Sequence, residues 1–267
     1  MIAQMAYKTD DQFVTEGLAK NRVYSAGQGK PVVFLHGPFG QDWNPFLSSL
    51  AQGRQIFMPE TPGADEQNDL LVLLNHWDLL IYYDELFDRL GLDTFDLVGH
   101  SFGGMVAAEY AAAFRHRVNK LVLIDPMGLW LDEQPVGDFV NGERDLLNRQ
   151  LWANGAPSDA DPFKPRTDID PVEATEELLR KVMSIAAAAN FAHPIPERGL
   201  ARRLHRIAAP TQIIWGEKDG FVPPVYAELF RAKIPGARVA TVADAAHHPH
   251  IEQEAATYQL VRDFLDG

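Results

Sequence analysis

Short apolar, β-branched runs recur along the chain, each cut off by a turn residue. Val32-Val33-Phe34-Leu35 is apolar throughout and stops at His36-Gly37, the pattern of a strand buried on both faces. Gln55-Ile56-Phe57-Met58 stops at Pro59, Phe95-Asp96-Leu97-Val98 at Gly99, and Leu121-Val122-Leu123-Ile124 at Asp125-Pro126. Further on, Thr211 to Trp215 ends at Gly216, and Ala237 to Val242 follows the Pro235-Gly236 turn. Between these runs the period lengthens. Trp77, Leu80, Ile81, Asp84, Phe87 and Leu90 recur at three- and four-residue steps and stop at Gly91, a helix C-terminal signal. Met105 to Phe114 and Ala255 to Leu265 predict helices in the same way. Strand–helix alternation of this kind builds a mostly parallel sheet with helices on both faces.

From about Gly128 to Leu200 the rhythm breaks. No strand signal appears there, and Pro, Asp and aromatic residues become frequent. Leu146 to Trp152 and Val172 to Phe191 predict helices, separated by a linker-like stretch from Pro157 to Pro171. The division expected is a core of residues 1–127 and 201–267 with a helical insert, 128–200, after the sixth strand. An insert at the carboxyl edge of a parallel sheet sits where ligands bind, so it is a candidate lid; the plainer reading is two helices and a long loop. The run Glu173, Glu176, Glu177, Arg180, Lys181 reads as a solvated face with i,i+4 pairs Glu176–Arg180 and Glu177–Lys181.

Composition narrows the chemistry. Of 267 residues, 24 are Lys or Arg and 37 Asp or Glu, a formal net charge of −13. That balance argues against a nucleic-acid or anionic-membrane surface, which needs clustered cations. There is no cysteine, so disulfides, thiolate metal sites and cysteine nucleophiles are excluded. No apolar run approaches the ~18 residues of a membrane span, and the start, Met1-Ile2-Ala3-Gln4-Met5, lacks the features of a signal peptide. The expectation is a cytoplasmic protein without a cofactor. His247, His248 and His250 cluster but lack further ligands at metal-binding intervals, so no metal is expected.

Gly99-His100-Ser101-Phe102-Gly103 fits G-x-S-x-G. At ordinary glycine usage a given serine is flanked this way by chance about once in 200. Here the motif also follows a buried strand and opens a helical segment, the setting of a nucleophile elbow, in which a strained turn lifts the serine oxygen above the sheet.

With His36-Gly37, the turn Pro59-Glu60-Thr61-Pro62-Gly63, the elbow, Gly216-Glu217-Lys218-Asp219 and His247-His248-Pro249 all in place, the sequence resembles the α/β-hydrolase superfamily, its lid-bearing branch. The resemblance covers nearly the whole chain outside the insert. It implies an eight-stranded, mostly parallel sheet and a triad in the order Ser, acid, His. A serine hydroxyl needs a neighbouring base, itself oriented by a carboxylate. Ser101 is the implied nucleophile and Asp219 the implied acid, with Asp125 at the end of the preceding strand as its competitor. The base is His247, with His248 as the alternative; His250 opens the last helix, in a capping or surface role. One oxyanion donor is implied at the Phe102 N–H. The other falls at Pro38, which has no N–H, so the expectation moves to Phe39.

His36, Trp130, Phe139, Trp152 and Phe191 are expected to line a substrate pocket, largely apolar. The function expected is that of a serine hydrolase acting on a small or medium apolar carboxylic ester. Two rivals stay open: a carbon–carbon bond hydrolase of the ring-cleavage type, whose members usually carry an aromatic residue where His248 stands, and a non-catalytic ligand receptor on the same fold. Epoxide hydrolases and haloalkane dehalogenases resemble the chain too, but use aspartate at the elbow. A small molecule is the only partner expected besides a second copy of the chain in a homodimer.

Overall fold

The computed structural model describes residues 5–40, 43–64, 67–156 and 164–267. Eight strands form one sheet: β1 (Lys8–Val14), β2 (Ala19–Ala26), β3 (Lys30–Leu35), β4 (Arg54–Pro59), β5 (Phe95–His100), β6 (Val118–Ile124), β7 (Thr211–Gly216) and β8 (Arg238–Val242). Their order is β1-β2-β4-β3-β5-β6-β7-β8. β1 and β2 form an antiparallel hairpin whose second strand joins β4 antiparallel. Every pairing from β4 to β8 is parallel.

Side chains alternate across the sheet, as the two-residue period of a strand requires. Val33, Leu35, Leu97, Leu121, Leu123, Ile213 and Trp215 enter one core, packed with α2 (His76–Arg89), α3 (Ser101–Ala113) and α6 (Val225–Lys233). Val32, Phe34, Ile56, Val98, Val122, Ile124 and Ile214 enter the other, with α1 (Pro45–Leu50) and α8 (Glu254–Asp266). Gly91 ends α2 as predicted. It sits at φ +71, its N–H donates to the Asp88 carbonyl, and the Leu92 N–H donates to Phe87, which together make a Schellman stop.

The insert between β6 and β7 carries α4 (Arg144–Leu151) and α5 (Pro171–Ala192), and no strand among its described residues. Residues 157–163 of the predicted linker lie outside the described residues. Glu143 caps α4, and Asp170 caps α5 ahead of Pro171. Among the described residues no helix is long and apolar enough to cross a membrane.

Candidate active site

The site gathers at the carboxyl edge of β5, β6 and β7. Between β5 and α3 the chain reverses within one residue, and Ser101 takes φ +56, the left-handed region that disfavours a residue with a Cβ. The surrounding glycines make that turn possible. A Cβ on Gly99 would sit 2.5 Å from the Gly103 carbonyl oxygen, one on Gly103 would overlap the Leu35 carbonyl, and one on Gly104 would sit 2.9 Å from Pro126 Cβ. Helix and strand are thus closer than any larger residue permits.

Two other loops meet the turn. His247 Nε2 lies 2.8 Å from Ser101 Oγ, and His247 Nδ1 lies 2.8 Å from Asp219 Oδ2. Asp219 Oδ1 accepts the Phe221 and Val222 N–H groups at 2.8 and 2.9 Å. Asp219 therefore closes an Asx-type turn and faces the imidazole at once. The loop bearing His247 is held from both sides. Its N–H donates to the Leu151 carbonyl at 3.1 Å, and its carbonyl lies 2.7 Å from His100 Nε2. Gly216 is needed here, because a Cβ at that position would overlap the Ala246 carbonyl. Ser101, Asp219 and His247 are all buried.

His248 points elsewhere. Its ring stacks on Trp152 at 4.2 Å and 9°, and Nδ1 lies 3.3 Å from the Leu151 carbonyl. His250 is not at the surface, contrary to the sequence expectation. It opens α7 (Pro249–Glu252) inside the second core, 6.0 Å from Phe34 and 5.7 Å from Phe46, with neither ring nitrogen hydrogen-bonded. Four imidazoles crowd this corner. Burial, then the neighbouring rings, holds His100 and His248 well below the ordinary histidine range and His250 down to about 3. These three are neutral at pH 7, so no fixed positive charge faces His247 from them.

Asp125 reaches the end of β7. Its Oδ1 accepts the Gly216 N–H at 2.9 Å. A carboxylate oxygen of Asp125, one of Asp219 and a ring nitrogen of His247 lie within 4.8 Å of one another, the one such grouping of cation-donor atoms among the described residues.

The early loop brings Gly37 against the elbow: a Cβ there would stand 3.3 Å from Ser101 Cβ. The Gly103 N–H donates to the His36 carbonyl at 3.1 Å. Phe102 occupies the first turn of α3, where helix amides have no intrahelical acceptor and the helix dipole favours negative charge. Phe39 is buried edge-on to Phe221 at 6.3 Å, and Phe221 meets the His247 ring at 4.7 Å.

Of the five expected pocket residues, the four aromatic ones pack in or against the core cluster that also holds Phe39 and Phe102. Phe191 stacks on Phe102 at 6.5 Å, next to the elbow. Trp152 is buried against His248, Phe139 packs on His193, and half-buried Trp130 donates through its Nε1–H to Asp132. His36 borders a small cleft of about 30 Å³ beneath α5, with Glu60, Glu177, Lys181 and Ser184. The Glu177–Lys181 pair, expected on a solvated face, is buried with a 2.8 Å bond and lies over the Gly40 turn. Helical spacing gives the pair but not which way it faces.

Sequence reasoning missed Glu252 and His100. Glu252 accepts the Ala246 N–H through Oε1 and the Ala153 N–H through Oε2, both at 2.8 Å, and so ties the His247 loop to the end of α4. Only its closeness to His247 in the sequence hinted at this. His100 lay inside the elbow motif, at a position the motif leaves unspecified.

Residues 30–254 match the model of the alpha/beta hydrolase fold. The chain is 26% identical, over 99% of both chains, to 2-hydroxy-6-oxo-6-phenylhexa-2,4-dienoate hydrolase of Burkholderia cepacia. It is 25% identical to Lipase 3 of Moraxella sp. (strain TA144), over 90% of this chain and 78% of the lipase. Among solved structures, the carboxylesterase CesB of Bacillus subtilis superposes with a TM-score of 0.70 at 20% identity, covering 98% of this chain and 92% of that one. With an elbow, a sheet order and a match of this extent, the chain belongs to the α/β-hydrolase family, whose named members here are hydrolytic enzymes.

Proposed function

We propose that the protein is a serine hydrolase that cleaves a small or medium apolar carboxylic ester through an acyl-enzyme. The observation that carries this is the unbroken pair of 2.8 Å contacts from Ser101 Oγ to His247 and from His247 to Asp219. In this reading Ser101 Oγ attacks the ester carbonyl carbon as His247 Nε2 takes its proton. The developing oxyanion is held by the Phe102 N–H and, with Pro38 unable to donate, by the Phe39 N–H. His247 then protonates the leaving alcohol. Water, deprotonated by the same nitrogen, frees the acid and restores Ser101, while Asp219 fixes the ring tautomer and stabilises the imidazolium. The aromatic residues Phe39, Phe102, Phe191 and Phe221 around the serine favour an apolar acyl group. A cytoplasmic location belongs to the same proposal, and cell fractionation tests it.

A second reading, hydrolysis of a carbon–carbon bond in a vinylogous diketone, draws support from the full-length likeness to the Burkholderia cepacia dienoate hydrolase. A nitrophenyl ester series from acetate to octanoate, run beside such a diketone with wild type and Ser101→Ala, separates the two. Ester turnover at least tenfold above diketone turnover is expected, with fluorophosphonate labelling lost in Ser101→Ala. Activity unchanged in that variant would overturn the mechanism.

A further inference from the structure

We infer that Asp125 is a proton-bearing positioning residue, a neutral carboxylic acid that faces Asp219 and keeps the single negative charge of the two carboxyl groups on Asp219, beneath His247. The inference rests on the triad reading above for its functional meaning, but not for its geometry.

Asp125 ends β6 at φ +43, and its backbone N–H donates to the Ile214 carbonyl at 3.0 Å. Its Oδ1 is occupied by the Gly216 N–H. Its Oδ2 is buried and makes no hydrogen bond. An ionised oxygen left so would be among the costliest groups a protein can bury. The groups facing it come from three elements. Asp219 stands on the loop after β7, His247 on the loop before α7, and Glu252 on α7 itself. Two of these are acids, and both are better supplied with donors than Asp125. Asp219 receives His247 Nδ1–H and two backbone N–H groups. Glu252 receives two backbone N–H groups. Asp125 receives one.

When carboxyl groups crowd together in a buried site, the one with the fewest donors takes the proton. Burial first, and then the charge of Asp219, pushes the Asp125 carboxyl well above the ordinary range, against the pull of the Gly216 amide. With Oδ1 accepting from that amide, the proton sits on Oδ2. The acceptor within reach is Asp219, so a small rotation of either side chain supplies Asp219 with one more donor. The effect is to keep Asp219 ionised and aligned under the imidazole. Asp125 touches no reacting atom.

The test uses the whole enzyme and two readouts. In infrared difference spectra of wild type against Asp125→Asn at pH 7, a protonated-carboxyl band present in wild type and missing in the variant is expected; absence of such a band overturns the inference. In pH–rate profiles, Asp125→Asn keeps a neutral donor, so its acidic limb should stay within about 0.3 pH unit of wild type and kcat/KM within about threefold. Asp125→Ala should lose about tenfold in kcat with KM little changed, a loss that Asn restores. Asp219→Asn serves as the contrast and should cost about 10⁴ in kcat, the size seen for the equivalent change in a serine protease triad.

If Asp125 were instead ionised, removing its charge would make the imidazolium more acidic. The acidic limb of Asp125→Asn would then fall by about one pH unit or more, and the inference would fail. A stoichiometric divalent ion in the purified protein would also overturn it, since the ion would replace the proton. Should Asp125→Asn not fold, NMR of wild type with isotope-labelled aspartate replaces it. One carboxyl carbon that stays in its neutral form at pH 7 supports the inference, and none overturns it. The spectroscopic signatures need no substrate, so a protein that shows them yet hydrolyses nothing would refute the proposed function and leave the carboxyl pair standing.

Discussion

The two helices of the insert meet the rest of the molecule in opposite ways. The end of α4 is woven into the loops that carry Asp219 and His247. Leu151 accepts the His247 N–H, Gln150 accepts the Gly220 N–H, and the Ala153 N–H reaches Glu252. Leu147, Leu151 and Trp152 complete its burial. From Val172 to Ser184, α5 turns inward a buried ion pair, Glu177–Lys181, and Ser184, whose Oγ has no hydrogen-bond partner, and leaves Val172, Leu179 and Val182 exposed. Apolar packing and backbone bonds lose their value when separated, whereas charged and hydroxyl groups regain solvation. The first turns of α5 are therefore held mainly by polar contacts, whereas its last turns, where Ala187, Ala188, Phe191 and Ala192 are buried, share with the end of α4 the firmer hold of apolar packing.

The strongest test of that contrast is Trp152→Ala. It removes a buried indole and its stack on His248, so unfolding free energy should drop by about 3–4 kcal/mol, with a matching fall in kcat. On α5, Leu179→Ala should cost less than about 0.5 kcal/mol, as exposed positions do. Equal losses in urea titrations would erase the distinction. Next comes Glu252→Gln. A glutamine keeps one acceptor but turns a donor toward one of the two backbone N–H groups, so a loss of about 2 kcal/mol is expected. Because the Ala246 N–H precedes His247, kcat should fall as well, by roughly tenfold, since small displacements of a base are costly. Unchanged kcat would mean that the α4 end does not position the base.

A pH effect follows from the same corner. His250 is held down to about 3 in the folded protein. The unfolded chain therefore binds the extra proton between roughly pH 6.5 and 3, and folding stability falls as pH drops through that window. Each such group contributes a slope of about 1.4 kcal/mol per pH unit. His250→Leu should remove one proton's worth of slope from denaturation midpoints between pH 6 and 4. An unaltered slope would show that His250 does not titrate with unfolding.

What could be read beforehand was whatever depends on local sequence. Gly91 stops its helix by its own conformational freedom, and the glycines of Gly99-His100-Ser101-Phe102-Gly103 record a close approach that nothing larger allows. Ser101 stood out through the local G-x-S-x-G motif, whereas Asp219 and His247 were named only through what the resemblance to the α/β-hydrolases implies. Orientation was not legible. β1 escaped notice because Lys8 to Gln12 is an edge strand with nearly every side chain in water, which leaves no alternating apolar pattern to detect. His250 and the Glu177–Lys181 pair look like surface residues by type, and only tertiary packing turns them inward. Which face of the expected pocket residues meets a substrate is set by tertiary packing in the same way. An aromatic residue in an insert announces burial but not what it is buried against.

The smallest expected effect is the most selective probe of the two helices. Glu143 caps α4 by accepting the Asp145 and Leu146 N–H groups at 3.0 and 2.9 Å, and Asp170 caps α5 by accepting those of Val172 and Glu173 at 2.9 and 3.3 Å. Either cap replaced by Ala should weaken its own helix by about 1 kcal/mol. The consequence should differ with how each helix is held. In Glu143→Ala the backbone bonds at the far end of α4 keep it seated, so the loss appears only in global unfolding, and protease cleavage within 144–151 stays slow. In Asp170→Ala the first turns of α5 have little apolar contact to hold them. Local opening should become easier by the same ~1 kcal/mol, about fivefold in population, and limited proteolysis within 171–180 should speed up by that factor at unchanged global stability. If both variants are cut at wild-type rates, the starts of the two helices are equally fixed, and the contrast between them fails.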